Sequence, residues 1–425
     1  MPRSAALDLL DAVLNQKKLL DEAVNQSAAF DKLEGRDRAL AQQIVKTVLR
    51  HLGEIDLLIS SFLDKPLGKK GQEAENAIRI GLAQLFYLDT ADHAAIDTAV
   101  ELCKGGQMAP YRKLVNAILR RAQREGAALL AQHDIGQTNT PDWLWHSWLE
   151  AYGADTAHAI AAQHLIEAPL DITPKDDPAG WTEKLNAQLM PTGSLRLAGH
   201  KGSIITLDGF DEGAWWVQDM AASLPARLLG NVQDIDVIDL CAAPGGKTME
   251  LAAAGARVTA VDRSEKRLKR VRENLDRTGL TAKLVAADAT QWRPDMLADA
   301  VLLDAPCTST GTARRHPDVL HLKQPADVAK LADLQARLLR AAVEMARPGG
   351  LIVYCTCSLQ PEEGERQIEA LLATDAPVVA DPVLPSEAGT LSEIITADGF
   401  LRTLPCFLGE QGGMDGFFAA RLRRH

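Results

Sequence analysis

Asp239-Leu-Cys-Ala-Ala-Pro-Gly-Gly-Lys-Thr248 stands between a short apolar run at 235–240 and a helical pattern. Gly245 and Gly246 allow the backbone of this turn to approach a ligand closely. The turn has neither the GxGxxG of dinucleotide-binding proteins nor the GxxxxGK(S/T) of phosphate-binding loops. Asp262 ends the next apolar run, a position where an acid typically accepts hydrogen bonds from ribose hydroxyls. The turn therefore favours a nucleoside ligand without a pyrophosphate, and S-adenosylmethionine is such a ligand.

The sequence around this turn alternates apolar runs with helical patterns. Further apolar runs occur at 257–261, 283–286, 300–303 and 351–355, separated by helical patterns at 247–254, 265–278, 326–346 and 362–373. This alternation is typical of a mostly parallel sheet covered by helices on both faces. A final apolar run at 417–422 predicts an antiparallel strand. We therefore expect residues 216–425 to form a Rossmann-like α/β domain.

The first third of the chain has a different pattern. Apolar residues such as Leu40, Ile44 and Val48 recur at helical spacing, and proline is scarce, which predicts an all-α bundle over residues 1–132. The polar stretch 133–141 indicates a linker. The helix that follows contains Trp143, Trp145 and Trp148, which we expect to pack in a core or between domains rather than to stack on bases.

Between these regions we expect a small α/β subdomain over residues 141–215. Short β-like pieces occur at 170–173 and 203–207, and a helical pattern lies between them near 181–189. The protein is therefore predicted to be multidomain, with a helical bundle, this subdomain and a catalytic α/β domain.

Composition excludes several classes of protein. Of the 425 residues, 46% are hydrophobic and 24% are charged, which excludes a wholly disordered chain. Without an apolar run of about 18 residues or a secretory pattern, we expect a cytoplasmic protein that does not bind membranes. Six cysteines are too sparse for a disulfide scaffold, and with no CxxC pair and no zinc-like His cluster they predict free thiols and no metal site.

Charge is unevenly distributed. The net charge of −11 argues against a protein that coats nucleic acid, but residues 126–215 alone carry 12 acidic and 4 basic side chains. Residues 1–125 carry 17 acidic and 18 basic side chains, so a local basic face is possible there. We expect RNA phosphate to contact Arg314-Arg315 and the helix with Arg112, Lys113, Arg120, Arg121 and Arg124, for which a solvated helix face is the other interpretation.

Acids and thiols follow other predicted strands. Asp304 and Cys307 occur in Leu302-Leu-Asp-Ala-Pro-Cys-Thr-Ser-Thr-Gly311, Cys357 occurs in Val353-Tyr-Cys-Thr-Cys-Ser358, and Asp288 ends another run. Parallel strands place their carboxyl ends on one side of a sheet, so Cys307 and Cys357 are expected to converge in one crevice.

This set of motifs resembles the RNA 5-methylcytosine methyltransferases of the RsmB/Sun/Fmu family. The matching segments are Gln218-Asp-Met-Ala-Ala222, Asp239–Thr248, Val261-Asp262 with Arg267-Leu268, Asp288, Asp304-Ala-Pro-Cys307 to Gly311, Arg314-Arg-His-Pro-Asp318, Thr356-Cys-Ser358 and Asp415-Gly-Phe-Phe418. The first 125 residues resemble the NusB-like domain of bacterial small-subunit rRNA enzymes. The segments that carry this resemblance include Arg36-Asp-Arg38, Arg79-Ile-Gly-Leu-Ala-Gln-Leu85 and Val115-Asn-Ala-Ile-Leu-Arg120. Departures from the family are Thr308-Ser-Thr-Gly311, Cys355 before the Thr-Cys-Ser, and Val45-Lys-Thr47.

The resemblance implies a reaction and a site. The reaction is transfer of a methyl group from S-adenosylmethionine to cytosine C5 in 16S rRNA, either naked or in an early assembly particle, without an obligate protein partner. Cys357 would be the nucleophile that adds to C6, Cys307 would assist resolution, and Asp304 would hydrogen-bond the ring N3 or the exocyclic amine. The cofactor pocket would comprise Cys241, Ala242, Ala243, Pro244, Gly245, Gly246, Lys247, Asp262, Arg267, Asp288 and Asp304.

Two other functions remain to be distinguished. In a DNA-type cytosine methyltransferase the Pro-Cys cysteine attacks, so Cys307 would be the nucleophile. A non-catalytic RNA-binding or assembly factor with this fold would be expected to lose a thiol or the acids, yet all of them are present.

Overall fold

The structure is a computed structural model that describes residues 1–197, 199–200, 202–387 and 391–425. These residues form two compact units. The helical unit comprises Met1–Ile166 and Ala313–Gln324, and the sheet unit comprises Glu167–Thr312 and Pro325–His425. In the part of the chain that the structure describes, no helix has both the length and the apolar character needed to cross a membrane.

The helices are, in chain order, α1 (Pro2–Leu10), α2 (Leu20–Gln26), α3 (Ala28–Asp31), α4 (Gly35–Arg50), α5 (Leu52–Phe62), α6 (Gln72–Phe86), α7 (Asp92–Leu102), α8 (Arg112–Leu130), α9 (Ile135–Thr138), α10 (Asp142–Tyr152), α11 (Ala154–His164), α12 (Pro178–Lys184), α13 (Met220–Arg227), α14 (Gly246–Ala253), α15 (Glu265–Thr278), α16 (Asp318–Leu322), α17 (Pro325–Met345) and α18 (Glu365–Leu372).

The strands are β1 (Leu170–Pro174), β2 (Gln188–Leu189), β3 (Leu195–Leu197), β4 (Trp215–Val217), β5 (Asp236–Leu240), β6 (Arg257–Asp262), β7 (Lys283–Ala286), β8 (Ala298–Asp304), β9 (Ala346–Thr356), β10 (Val378–Ala380), β11 (Leu401–Thr403) and β12 (Phe417–Arg424).

The helical unit confirms the predicted all-α bundle. α4 buries Ala41, Ile44 and Val48, which recur three and four residues apart and therefore lie on one face of the helix. α6 and α8 pack closely, since a Cβ at Gly81 would lie only 2.6 Å from a methyl of Leu119. Apolar periodicity thus accounts for the core of this unit.

Two predictions for residues 133–166 have different outcomes. Trp145 and Trp148 are buried in α10, as expected of core residues, whereas Trp143 is partly exposed. The stretch predicted as a linker instead contains α9, whose first turn is capped by the Asp134 carboxylate accepting from Gln137 N. Because α10 and α11 belong to the helical unit, the chain divides after Ile166. The three-part division at 1–132, 141–215 and 216–425 stays a prediction.

The segment Ala313–Gln324 packs in the helical unit although both of its sequence neighbours are in the sheet unit. The carboxylate of Asp318 accepts the Leu20 N–H at 2.9 Å, at the start of α2. Arg50 donates to the carbonyl of Arg314 at 2.9 Å, and the Arg314 side chain is 1% exposed. The expected phosphate contact is therefore wrong for Arg314, because its guanidinium is enclosed. The cations of α8 are exposed, and their contact with phosphate stays a prediction.

A small antiparallel sheet opens the sheet unit, in the order β2-β3-β1-β4. The strand predicted at 203–207 is wrong, because Ile204–Thr206 forms a short 3-10 turn there. Leu207 and Phe210 pack against Trp215, whose indole N–H donates to the Asp208 carbonyl at 2.9 Å. β-propensity reflects packing on neighbouring strands, and Ile205 is exposed, so its side chain gains no such packing here.

The large sheet confirms the predicted Rossmann-like architecture. Its order is β10-β12-β9-β8-β5-β6-β7, with β11 paired to β12. β9, β8, β5, β6 and β7 are parallel, and β12 runs antiparallel to β9 as predicted for the last apolar run. α13 and α14 contribute buried residues to one core cluster, and α17 and α18 to another, so both faces are covered.

Candidate active site

Strand order brings the predicted functional residues to one edge of the large sheet. β8, β5, β6 and β7 are adjacent and parallel, so their carboxyl ends lie side by side. Asp304 ends β8, Asp262 ends β6, and Asp288 follows β7 by two residues. β9 neighbours β8 and is followed directly by Cys357.

The turn after β5 has the backbone of a ligand-binding turn. Cys241 has φ +61°, although it is not glycine, and Gly245 has φ +105°. A Cβ at Gly245 would also lie 3.1 Å from the Val271 side chain on α15, so glycine meets both demands. α14 begins at Gly246, and Ala242, Ala243 and Pro244 complete the turn. Strained backbone of this kind is concentrated at binding and catalytic sites.

Asp262 connects this turn to the start of α15. Its side chain is 2% exposed, and its carboxylate accepts N–H groups from Ala243 at 3.3 Å and Ser264 at 2.9 Å. Arg267 lies 3.3 Å from the same carboxylate and donates to the Ala243 carbonyl at 2.6 Å. Asp262 and Arg267 therefore hold the turn in place as well as bordering it.

Asp288 is more open than Asp262. It is exposed, and its carboxylate accepts hydrogen bonds from the backbone N–H and the hydroxyl of Thr290. These bonds lower the pKa of Asp288, so it is a charged acceptor at neutral pH.

Asp304 is the centre of a polar cluster. The ammonium of Lys247 donates to Asp304 Oδ2 at 2.8 Å, and the thiol of Cys355 donates to Oδ1 at 3.5 Å. Burial opposes the charge of Lys247, but the Asp304 carboxylate prevails and raises the pKa of the lysine. The Asp304 side chain is 34% exposed, so a carboxylate held from behind by Lys247 and Cys355 still opens to the crevice.

The two predicted thiols meet in this crevice. Cys307 Sγ and Cys357 Sγ are 3.4 Å apart, which is a thiol hydrogen-bond distance and far from the roughly 2.05 Å of a disulfide. Both are free cysteines and both are partly exposed. The hydrogen bond to Cys357, together with burial, raises the pKa of Cys307 well above its ordinary value. Cys307 therefore holds its proton more strongly than an ordinary thiol.

The other cysteines are not equivalent to this pair. Burial raises the pKa of the Cys103, Cys355 and Cys406 thiols, and it raises the pKa of Cys241 to about 12. They are therefore neutral thiols at physiological pH. Among the described residues, no cluster of three or more His, Cys, Asp and Glu side chains could hold a metal ion.

One buried carboxylate, which sequence reasoning missed, joins the loops that carry the two thiols. Glu363 accepts the backbone N–H of Thr308 at 2.9 Å and the hydroxyl of Ser358 at 2.5 Å. Thr308 directly follows Cys307, and Ser358 directly follows Cys357. The Thr308 hydroxyl and the Gln335 amide also donate to Glu363, so its oxygens have several donors.

Glu363 was missed because it lies in Pro361-Glu-Glu-Gly364, an acidic sequence that is typical of an exposed turn. The structure buries it completely, and burial raises the pKa of its carboxyl group while the hydrogen bonds oppose that rise. A glutamate five residues after the serine of the Thr-Cys-Ser motif is a pattern that could identify this carboxylate in similar sequences.

Two further motifs pack against each other behind the thiols. Gly311 donates its N–H to the Cys357 carbonyl at 3.0 Å, and Gly416 donates to the Gly311 carbonyl at 2.8 Å. A Cβ at Gly311 would lie 1.9 Å from the Gly416 carbonyl oxygen, so only glycine fits there. The motif that ends at Gly311 and the motif around Gly416 therefore support the Cys357 loop.

Comparison with known proteins agrees with these features over the whole chain. Residues 226–423 match the family model described as 16S rRNA methyltransferase RsmB/F, and residues 1–124 match the NusB family. The chain is 38% identical over 440 residues to the ribosomal RNA small subunit methyltransferase B of Pseudomonas putida, across 99% of this chain and 98% of that protein. It is 34% identical over 444 residues to the protein of the same name in Vibrio cholerae, across 99% and 97% of the two chains.

A solved structure agrees with the fold. The crystal structure of PH0851 superposes with a TM-score of 0.78 at 21% identity, across 100% of this chain and 99% of that chain. At this level of identity the similarity concerns the fold alone. The full-length relatives, the two matching domain models and the motifs at the sheet edge together establish that this chain belongs to the 16S rRNA methyltransferase RsmB/F family, whose members are S-adenosylmethionine-dependent methyltransferases.

Proposed function

We propose that this protein transfers a methyl group from S-adenosylmethionine to C5 of a cytosine in 16S ribosomal RNA, through a covalent bond between Cys357 Sγ and C6 of the base. The names of its relatives, which specify the small ribosomal subunit, support this RNA as the substrate. The substrate is either the naked RNA or an early assembly particle.

The observation that carries the proposal is the pair of free thiols 3.4 Å apart beside the Asp304 carboxylate. Cytosine C5 is a poor nucleophile. Addition of a thiolate to C6 converts the ring to an enamine, and C5 then reacts with an electrophilic methyl group. Release of the product requires removal of the C5 proton and cleavage of the C6–S bond. One thiol for addition and one group for proton removal are therefore needed at the same base.

The electrostatics of the pair support Cys357 as the nucleophile. Cys307 keeps its proton and lies within hydrogen-bond distance of Cys357 Sγ, so it can donate to the Cys357 thiolate that adds to C6. Once Cys357 has bonded to C6, that charge is gone, so one cause of the raised pKa of Cys307 disappears. Cys307 then loses its proton to water more easily, and the resulting thiolate can accept the C5 proton.

Asp304 is suited to orient the base. Addition at C6 increases the basicity of the ring, and a carboxylate can accept a hydrogen bond from the protonated N3 or from the exocyclic amine. Lys247 and Cys355 fix the Asp304 carboxylate, so little reorientation is needed when the base enters. General acid–base assistance of this kind contributes roughly 10²–10⁴-fold to a rate.

The sheet edge has the donor and acceptor groups that the cofactor requires. S-adenosylmethionine, when bound, supplies the electrophilic methyl group. Its ribose hydroxyls and amino groups need acceptors, and carboxylates end β8 and β6 and follow β7 at this edge of the sheet. Asp239 Oδ1 is buried and, among the described residues, has no hydrogen-bond partner, which also indicates an unmet contact. The residues that would hold the cofactor are Cys241, Ala242, Ala243, Pro244, Gly245, Gly246, Lys247, Asp262, Arg267, Asp288 and Asp304.

Methyl transfer to an unmodified 16S rRNA transcript tests the proposed function. The full-length protein is incubated with methyl-labelled S-adenosylmethionine and the transcript, either naked or assembled with early-binding ribosomal proteins. Label should enter the RNA, and bisulfite sequencing should locate 5-methylcytosine in 16S rRNA but not in a 23S rRNA control. Label on another base or on another atom of cytosine would refute the proposal.

Asp262→Ala is expected to weaken S-adenosylmethionine binding about ten- to hundredfold. Loss of a hydrogen bond to a charged group costs about 1.5–3 kcal/mol, and each tenfold in affinity corresponds to about 1.4 kcal/mol. Calorimetry measures the affinity, and thermal unfolding verifies that the buried substitution leaves the protein folded. Asp236→Ala is the matched control, because Asp236 also binds an arginine but lies at the amino end of β5. Wild-type affinity in a folded Asp262→Ala protein would remove Asp262 from the pocket.

Glu363→Ala is expected to lower kcat by about 10²-fold, because misplacing reacting groups by about 1 Å costs that much. The substitution leaves Thr308 N and the Ser358 hydroxyl without their acceptor, so the two thiol loops lose their common anchor. Glu363→Gln retains one acceptor oxygen and should recover part of the rate. The neighbouring variant Glu362→Ala, which removes a surface ion pair with Arg366, should behave as wild type. Equal kcat values for Glu363→Ala and Glu362→Ala would exclude this anchoring role.

A further inference from the structure

A groove in the sheet unit runs between α15 and the edge strand β7. It has a volume of about 650 Å³. Three basic side chains, Lys266, Lys269 and Arg272, and one acidic side chain, Glu265, line it. Leu268, Leu284 and Ala286 form its apolar wall. β7 is an edge strand of the large sheet. Among the described residues, no strand pairs with its outer side, which forms part of the groove wall. None of these features is part of the active site described above.

The helix that lines the groove is basic, although the chain is acidic overall. Residues 263–278 carry seven basic and three acidic side chains, whereas the whole chain has a net charge of −11. Arg263, Lys266, Arg270 and Arg272 are exposed and form no ion pair with any described residue. Lys269 is 4.0 Å from Glu273, which is a weak surface pair. These cations are therefore available for an external anion.

The position of the groove suits a strand that leads to the active site. α15 begins three residues after Asp262, so its first turn lies at the carboxyl edge of the sheet, where the two thiols also lie. Lys266, Lys269 and Arg272 follow at three-residue intervals, about 4.5 Å apart along the helix axis. A row of cations that begins at the catalytic edge matches the repeating negative charge of a nucleic acid backbone.

We propose that the groove between α15 and β7 binds the phosphodiester backbone of a segment of the substrate RNA that flanks the methylated nucleotide. This inference rests on the proposed function for the identity of the RNA. The three cations bind phosphates, and the apolar wall contacts sugars and base edges without reading sequence. The groove increases affinity for the RNA and does not take part in the chemical step.

Charge reversal in the groove tests the inference. Lys269→Glu/Arg272→Glu is compared with Lys330→Glu/Arg340→Glu, which makes the same change of charge at exposed positions of α17. α17 packs on the other face of the sheet from α15. RNA affinity is measured with the unmodified 16S rRNA transcript, without S-adenosylmethionine, over a series of salt concentrations. The groove variant should bind about ten- to hundredfold more weakly, and its plot of log K against log salt should flatten by about 0.7–0.9 for each phosphate that the protein no longer neutralises. Its kcat at saturating RNA and its S-adenosylmethionine affinity should equal those of the wild type.

The control variant should bind RNA within about twofold of the wild type, as expected for surface charges outside a binding site. Equal loss of affinity in both variants, or an unchanged salt slope in the groove variant, would overturn the inference. A failure of the proposed function would look different. In that case the wild type would not form 5-methylcytosine in the transcript, whatever the binding measurements show.

Discussion

Cys357→Ala is expected to abolish methyl transfer and to eliminate every covalent complex between protein and RNA. Cys357 follows β9 directly and lies at the crevice beside Asp304, and the other thiol there, Cys307, retains its proton. No other group at the described part of the sheet edge combines softness as a nucleophile with access to the base. Removal of a nucleophile typically costs at least about 10⁴-fold in kcat. Transfer of labelled methyl to the 16S rRNA transcript measures the loss.

Cys355→Ala is the matched control for this variant. Cys355 lies on β9 two residues before Cys357, and its thiol is buried against Asp304. Its pKa is raised by burial, so it is a neutral thiol and not a nucleophile. Activity within about tenfold of the wild type is expected, because only the orientation of the Asp304 carboxylate changes, through the loss of one weak hydrogen bond. Substantial activity in Cys357→Ala would show that Cys357 does not form the bond to C6.

Most of the fold was predictable because its elements have strong local patterns. The runs that became β5, β6, β7 and β8 are short and apolar, and the helices between them have one apolar face. β9 is longer than predicted, because it begins at Ala346, which pairs with Ala298 of β8, and Arg347–Gly350 form an irregular stretch before the pairing resumes at Leu351. Backbone pairing in a parallel sheet does not require apolar side chains, so such an extension has no sequence signal.

The position of Ala313–Gln324 was not predictable. Sequence order places this segment inside the catalytic half, yet it packs in the helical unit, where Asp318 accepts from Leu20, 298 positions earlier. A capping contact over this separation depends on tertiary packing and has no periodicity. The same reason explains the wrong prediction for Arg314, since a basic pair next to a catalytic loop suggests an RNA contact until its burial is known.

The geometry of the active site was also only partly predictable from the sequence. Convergence of Cys307 and Cys357 followed from the rule that parallel strands end on one side of a sheet. Their separation of 3.4 Å and their common anchor at Glu363 did not follow, because both depend on loops beyond the strands. Asp262 was expected as an acceptor for ribose, but its bonds to Ala243 and Ser264 could not be foreseen from its place at a strand end. Its role in cofactor binding stays a prediction.

Cys307→Ala is expected to stop turnover for a different reason from Cys357→Ala. Cys357 still adds to C6 and C5 still receives the methyl group, but the group that removes the C5 proton is absent. Without proton removal the C6–S bond cannot break, so the enzyme remains attached to the methylated RNA. The variant should therefore accumulate a covalent adduct that survives denaturing gel electrophoresis, with loss of steady-state turnover of about 10²–10⁴-fold, the range for a missing general base.

The adduct must depend on Cys357 if this order of events is correct. The double variant Cys307→Ala/Cys357→Ala should show no adduct. The adduct of Cys307→Ala with RNA should form faster when S-adenosylmethionine is present than when it is absent. The 3.4 Å separation of the two thiols means that each can reach the same base, so position alone does not decide their roles. The mutants do decide them. An adduct in Cys357→Ala that is absent from Cys307→Ala would reverse the assignment, making Cys307 the nucleophile as in the DNA-type mechanism.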